Sequence, residues 1–321
     1  MDSPELLNLL RAYSALVPPK LITFPADLPF TLVHDYILGS VLLNPHLAKH
    51  PPSAYYQHTF WRWAIGQLEA LMDDSATSPP PSFVTHYWKS PWVDRELQAI
   101  TGYDTATLLE SRTIIENGTT GLRTWRASFV LAQYLISHPE LVINKNVLEL
   151  GSGTGFLGII MGRLQMLDDQ DNESTLWLTD AHEDVLKRCC NNVHLSCNIS
   201  SQHKNLHTRV LDWSDALNHH SSKPLLQFFR EARLDVVLGA DLVYHPDIIP
   251  ALVSVLHLVL TLDIRRTATV ILALTVRNEE TWQIFLSALE FIDLATGDES
   301  PFFQLFEGID QEVKVIKIFG D

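Results

Sequence analysis

Four carboxylates in this chain close apolar runs: Glu149 in Val147-Leu148-Glu149-Leu150, Asp180 after Leu176-Trp177-Leu178-Thr179, Asp212 after Val210-Leu211, and Asp241 after Val237-Leu238-Gly239-Ala240. Strand carboxyl ends aim side chains into the cleft of a doubly wound sheet, where an acid can accept hydrogen bonds from a ligand. The first of the four leads into Gly151-Ser152-Gly153-Thr154-Gly155-Phe156-Leu157-Gly158, with glycine at every second position and then an apolar helix. Glycine permits a tight turn and close backbone approach to a ligand, at an entropic cost that an empty turn does not offset. A strand, such a turn and a helix together form a nucleotide-type cofactor site.

The glycines alone leave the cofactor open. Gly153-x-Gly155-x-x-Gly158 also fits the dinucleotide fingerprint, with a pyrophosphate resting on the helix N-terminus. Two details favour S-adenosylmethionine. Glu149 repels a pyrophosphate but suits a ligand carrying an amino group and a sulfonium. Gly151 extends the pattern backward to Glu149-x-Gly151-x-Gly153-x-Gly155. Asp180 follows the turn by about 25 residues, where a carboxylate can accept both ribose hydroxyls of either cofactor. It can equally cap the helix after Ala181. Asp212 can bind an adenine amino group, and the indole of Trp213 can cover the ring. Within Ala240-Asp241-Leu242-Val243-Tyr244, Asp241 and Tyr244 are expected to face the reacting group; the alternative makes them a helix cap and a packing residue. His245, before Pro246, reads as structural. Upstream, Gly118-Thr119-Thr120-Gly121-Leu122-Arg123-Thr124-Trp125 is a loop in which Thr124 can cap the next helix. Trp125 either lines the pocket or packs on the sheet.

These residues need a frame. Strands are expected near Asn146–Leu150, Leu176–Thr179, Arg209–Leu211, Asp235–Gly239 and Thr269–Thr275, alternating with helices near Thr124–Ser137, Phe156–Met166, Glu183–Ser196, Ile248–Thr261 and Glu279–Ala288. That alternation predicts an α/β fold with a mostly parallel sheet covered on both faces. The tail holds two strand-like runs, Phe302–Phe306 and Val313–Phe319, separated by too few residues for a helical crossover, so the pair should be antiparallel. Residues 1–100 differ in character: Leu6–Leu16 and Ala54–Met72 have helical periodicity, and Asp73–Ser82 with its three prolines reads as a linker. We read 1–100 as a helical accessory domain and 101–321 as the cofactor-binding domain.

The bulk numbers exclude several classes. Across 321 residues the formal net charge is -15, which disfavours phosphate backbones and therefore nucleic acid, and better matches a basic protein partner. A content of 46% hydrophobic residues supplies a substantial core. Cys189, Cys190 and Cys197 are too few and too crowded for a disulfide or zinc pattern, so no metal is expected. The apolar run Ala251–Leu262 is too short to cross a bilayer, and Met1-Asp2-Ser3-Pro4-Glu5 lacks a basic leader. A soluble, cytoplasmic monomer is the expectation.

Five segments in this order, Gly118 to Trp125, Val147 to Gly155, Leu211-Asp212-Trp213, Ala240 to Tyr244 and Thr275-Val276-Arg277-Asn278-x-Glu280-Thr281, resemble the seven-strand protein-lysine methyltransferases. Thr275 to Asn278 and Leu43-Asn44-Pro45 to Ser53 are similar to the branch acting on translation elongation factor 2. The resemblance implies a Rossmann-like methyltransferase sheet whose last hairpin is antiparallel. It implies S-adenosylmethionine as donor and a protein substrate, elongation factor 2. Around the donor it places Trp125, Glu149, the turn Gly151, Ser152, Gly153, Thr154 and Gly155, then Asp180, Asp212, Trp213 and Ala240. Asp241 and Tyr244 fall at the lysine channel. Arg126 and the polar stretch Asn218–Lys223 depart from the family pattern near the rim of the site. The competing readings are an NAD-dependent oxidoreductase, which the antiparallel tail argues against, and a catalytically silent adaptor, which the intact acids argue against.

Overall fold

The computed structural model describes residues 3–71, 80–89, 102–112, 119–167, 174–218, 220–262, 268–290, 294–298 and 313–320. The chain divides into two units, residues 1–78 and 79–321.

In the first unit, helix α1 spans Pro4–Ser14. Helix α2 (Phe30–Tyr36) runs on into a π-helical turn at Ile37–Leu42, followed by α3 (Pro45–Lys49) and α4 (Ala54–Leu71). The Asn44-Pro45 pair is a helix start: Asn44 Oδ1 accepts the His46 N–H at 2.9 Å, and Pro45 stands in the first turn, where a missing N–H is harmless. Leu6, Leu9 and Tyr13 pack with Val33, Phe60 and Ala64 in a small core, the Tyr13 and Phe60 rings meeting edge-on at 4.5 Å. The helices expected at Leu6–Leu16 and Ala54–Met72 are present; the first ends at Ser14, and Met72 lies outside the described residues. The helical region does not reach residue 100. Ser82–Lys89 is strand β1 and belongs to the second unit.

The second unit is built on a seven-stranded sheet in the order β5 (Leu206–Val210), β4 (Leu176–Asp180), β3 (Val147–Leu150), β6 (Val236–Ala240), β7 (Thr269–Thr275), β9 (Val313–Gly320) and β8 (Leu294–Asp298). The first five run parallel, and β9 is antiparallel to both β7 and β8. From β3 the chain steps outward to β4 and β5, then returns to lay β6 against the other edge of β3. The crevice beyond the carboxyl ends of β3 and β6 is therefore the switch point, where ligands bind in such sheets.

Alternate residues of each strand enter different cores. Val147, Val236, Leu238 and Ile271 pack with α5 (Arg126–Ser137), α6 (Phe156–Gln165) and α7 (Glu183–Val193). Leu148, Leu150, Val237, Val270 and Leu272 pack with α8 (Ser222–Ala232), α9 (Ile249–Leu260) and α10 (Glu279–Glu290). Burial on both faces is why these strands read as nearly continuous apolar runs.

The structure alters four expectations. The third parallel strand is Leu206–Val210, earlier than Arg209–Leu211. The hairpin partner of β9 is Leu294–Asp298; the Phe302–Phe306 run lies outside the described residues. Lys223, assigned to a polar insertion, stands in the first turn of α8. Finally, β1 pairs antiparallel with β2 (Tyr103–Glu110), a hairpin the sequence reading omits. Two asparagines anchor β2. Asn198 Oδ1 accepts the Thr107 N–H at 2.9 Å and its amide donates to Thr107 O at 2.8 Å. Asn192 does the same at Leu109, at 2.8 and 3.2 Å. A buried Asp104–Arg163 ion pair (3.5 Å) joins β2 to α6.

Candidate active site

The glycine turn is fixed by hydrogen bonds to the next strand. The Ser152 N–H donates to Thr179 O at 2.7 Å, and the Thr179 N–H returns a bond to Ser152 Oγ at 3.0 Å. The Thr179 hydroxyl donates to Glu149 O at 2.6 Å. The turn needs left-handed backbone at Gly151 (φ 64°), Gly153 (φ 53°) and Gly155 (φ 88°), a region that costs side-chain-bearing residues about 1–2 kcal/mol. A Cβ at Gly151 would also stand 2.8 Å from Leu242 Cδ2, so the turn after β3 lies against the segment after β6.

Two acids meet at this turn. Asp180 Oδ2 accepts the Gly153 N–H at 3.2 Å and Oδ1 accepts the His182 N–H at 3.1 Å. Asp180 thus braces the turn and the approach to α7, whose N-cap is His182. Burial raises its carboxyl above the ordinary value, against the hydrogen bonds from His182 and Gly153. Glu149 is 2% exposed, and its Oε2 has no hydrogen-bond partner among the described residues. Burial pushes its carboxyl up to about 8; the Ser152 hydrogen bond opposes the shift and the Asp180 charge adds to it. An unpaired oxygen buried this deeply is costly unless a ligand reaches it. The left-handed glycines, which leave the backbone bare, and this orphaned acceptor fit a ligand that brings a cationic donor.

Trp213 flanks the turn, with its ring 3.6 Å from where a Gly151 Cβ would stand. Asp212 is exposed and accepts the Ser214 N–H at 2.9 Å, starting the short 3-10 helix Trp213–Leu217. Gly121 O lies 3.2 Å from a Gly153 Cβ position, so the loop before α5 also reaches the turn. In that loop Trp125 Nε1 donates to Thr120 O at 3.1 Å. Thr124 does not cap α5, whose N-cap is Trp125. Its hydroxyl joins Glu110 Oε1 at the end of β2 and the Thr154 hydroxyl (2.8 Å) within the turn. Glu110, which the sequence reading missed, is a buried acid raised by its desolvation.

The second strand end holds Ala240, paired across the sheet with Ala273, and then Asp241. Asp241 adopts φ 60°, a left-handed conformation that aspartate tolerates better than most residues. Its side chain caps no helix. Arg277 Nη1 donates to Oδ1 at 2.7 Å and Nη2 to Oδ2 at 2.5 Å. The guanidinium also lies 5.4 Å from the Trp125 ring centroid. Asp241 raises the Arg277 guanidinium above its usual value, chiefly through these hydrogen bonds. Arg277 belongs to the Thr275-Val276-Arg277-Asn278 run, but no role follows from its place in the sequence. Tyr244 is 62% exposed, so it is not a packing residue. It lines a shallow cleft with Val243, Thr275, Arg277, Thr281 and Trp282. Thr275 Oγ1 is buried there without a hydrogen-bond partner among the described residues.

The structure thus joins Glu149, the turn and Asp180 in one network, sets Trp213 against it, and links Trp125 to Asp241 through Arg277. Asp212 is engaged with its own helix. Against this geometry, a family profile described as lysine methyltransferase matches residues 107–291. The chain belongs to the lysine methyltransferase family. Protein-lysine N-methyltransferase EEF2KMT from Homo sapiens is 32% identical over 266 residues, spanning 79% of this chain and 75% of that one. Putative protein N-methyltransferase FAM86B1, also from Homo sapiens, matches with the same identity and coverage. Protein-lysine N-methyltransferase EFM3 from Chaetomium thermophilum is 36% identical over 183 residues, 57% of this chain and 51% of that one. The family match begins inside β2 and ends just past α10, so it takes in both strand ends and the cleft.

Proposed function

We propose that this chain is a protein-lysine N-methyltransferase that uses S-adenosylmethionine and acts on elongation factor 2. The observation that carries the reading is the adjacency of two strand ends: a glycine turn over an orphaned buried glutamate, and, packed on it through Leu242, the Asp241-x-x-Tyr244 cleft. The family membership and the relatives named above support the activity and the protein substrate. No helix among the described residues is long and apolar enough to cross a membrane, in keeping with a cytoplasmic site of action.

Glu149 and the bare backbone of the glycine turn would hold the charged methionine end of the donor, Asp180 its ribose, and Asp212 and Trp213 its adenine, with Trp125 and Ala240 completing the wall. When bound, the donor supplies a methyl group already activated on a sulfonium. The protein's share is alignment and exclusion of water. Asp241 orients the substrate amine and Tyr244 walls its channel.

Incubation with tritiated S-adenosylmethionine and a cytosolic lysate should label one band, elongation factor 2. A label found in RNA would overturn the protein-lysine reading. Asp241→Ala should abolish labelling while S-adenosylhomocysteine still raises the Tm; a variant that stays active removes Asp241 from the mechanism. Stabilisation by NADH instead of S-adenosylhomocysteine would favour a dinucleotide site.

A further inference from the structure

Both oxygens of Asp241 are already held. The Arg277 fork, 2.7 and 2.5 Å long, is the bidentate geometry of a strong ion pair, and it forms where Asp241 is only 5% exposed in its side chain and Arg277 37%. The reaction requires the opposite of what a lone anion supplies. A lysine ammonium, with a pKa near ~10.4 in water, must lose a proton before its lone pair can attack. A carboxylate within about 4–6 Å favours the charged form and so resists that loss.

We propose that Arg277 sets the protonation state of the lysine entering this cleft: forked onto Asp241, it cancels the carboxylate's charge, so that Asp241 receives a hydrogen bond from a neutral amine and does not trap an ammonium. This rests on the reading of Asp241 and Tyr244 as the lysine channel. The proton lost by the ammonium passes to water at the cleft mouth, where Tyr244 is exposed. The guanidinium stays charged throughout, because Asp241 raises its already high value. Oδ1 also accepts the Thr275 N–H at 3.4 Å, while among the described residues Oδ2 accepts only from Arg277, so the fork leaves a lone-pair site on Oδ2 for the amine.

The other charged groups near the pair come from the segment after β6, from α10 and from β9. Tyr244 follows β6, and His245 beside it pairs with Asp247 at 3.4 Å. Glu279 and Glu280, both exposed, open α10 two and three residues after Arg277. Lys314 of β9 holds its ammonium 5.7 Å from the Trp282 ring that lines the cleft. Trp125, at the start of α5, carries no charge and faces the guanidinium.

The test measures kcat and KM for elongation factor 2 between pH 6.5 and 10 in the full-length protein and in Arg277→Gln, with His245→Gln as a control for imidazole titration. Affinity for elongation factor 2 without donor is read in parallel by calorimetry. Removing the fork should move the rising limb of kcat to higher pH by about one unit or more, a loss of about tenfold at pH 7 that is recovered at pH 9.5. Affinity at pH 7 should hold or rise, because a bare Asp241 attracts the ammonium. Arg277→Lys keeps a cation without the fork, so its limb should fall between the two, and it carries the test if the glutamine variant does not fold. A limb that stays in place, or an affinity that falls with the charge, overturns the inference. A wild-type protein that labels no lysine of elongation factor 2 overturns the channel reading itself, whatever Arg277 does.

Discussion

Glu149 is where burial and charge conflict most directly. Its carboxyl titrates near 8 because water is excluded from it, so at pH 7 it is mostly the neutral acid. A ligand bringing an ammonium to that oxygen makes the carboxylate the better partner, and binding then expels the proton. S-adenosylhomocysteine binding at pH 7 should release protons, read from calorimetric enthalpies in two buffers, and affinity should climb from pH 6 to 8. Glu149→Gln should release none. Stability has its own sign. The folded value stands above the ordinary 4.5, so the contribution of the neutral acid is whole below about pH 4.5 and is lost as pH rises through about 8. The ligand-free Tm should fall more steeply between pH 5 and 9 in the wild type than in Glu149→Gln; parallel curves would mean that the acid is not desolvated. Gly151→Ala tests the turn differently. Its methyl meets Leu242 Cδ2 at 2.8 Å in a left-handed backbone, so urea unfolding should show a loss of about 1–2 kcal/mol or more.

Among elements, the hairpin β1–β2 is tied to the site through single side chains. Asn192 of α7 holds Leu109 N and O in β2, and its amide also donates to Thr154 O in the glycine turn at 2.9 Å. It is 1% exposed, so Asn192→Ala strands buried backbone groups at about 1–3 kcal/mol each. The variant should lose several kcal/mol in urea unfolding, exchange its Leu109 amide faster, and bind S-adenosylhomocysteine more weakly. Full protection at Leu109 would show that the hairpin holds without it. This hairpin was also illegible in the sequence, for a physical reason. β2 alternates as Tyr103-Asp104-Thr105-Ala106, and one of its buried positions is an aspartate paired with Arg163, so the apolar period is broken. β5 is an edge strand with one buried residue, which explains why its expected start slipped. The strands β3, β4, β6 and β7 were legible because both their faces are covered. α8 carries Leu225, Phe228, Phe229 and Ala232 at helical spacing, but its polar first turn masked the pattern. The acids and glycines of the site follow from local order alone. Arg277 and Glu110 do not, because their partners, Asp241 and Thr124, stand 36 and 14 residues away.

At the scale of the molecule, the net charge of -15 decides which macromolecules approach. A field of that sign opposes a phosphate backbone most strongly at low salt, where the screening length grows from about 10 Å at 0.1 M to about 30 Å at 0.01 M. Generic nucleic-acid binders behave in the opposite sense and bind tightest at low salt, because they release counterions. The protein should therefore retain no single-stranded RNA in filter binding at 20 mM salt, and added RNA should not compete with methylation of elongation factor 2. The same field assists a partner that presents basic groups, and the reaction needs a lysine. Methylation of elongation factor 2 at subsaturating concentration should then slow as salt rises from 20 to 300 mM, through KM and not kcat, because screening weakens encounter while the cleft stays intact. RNA retention that declines with the logarithm of salt would reveal a basic groove that the overall charge conceals. A salt-independent KM would mean that the substrate docks through apolar contacts.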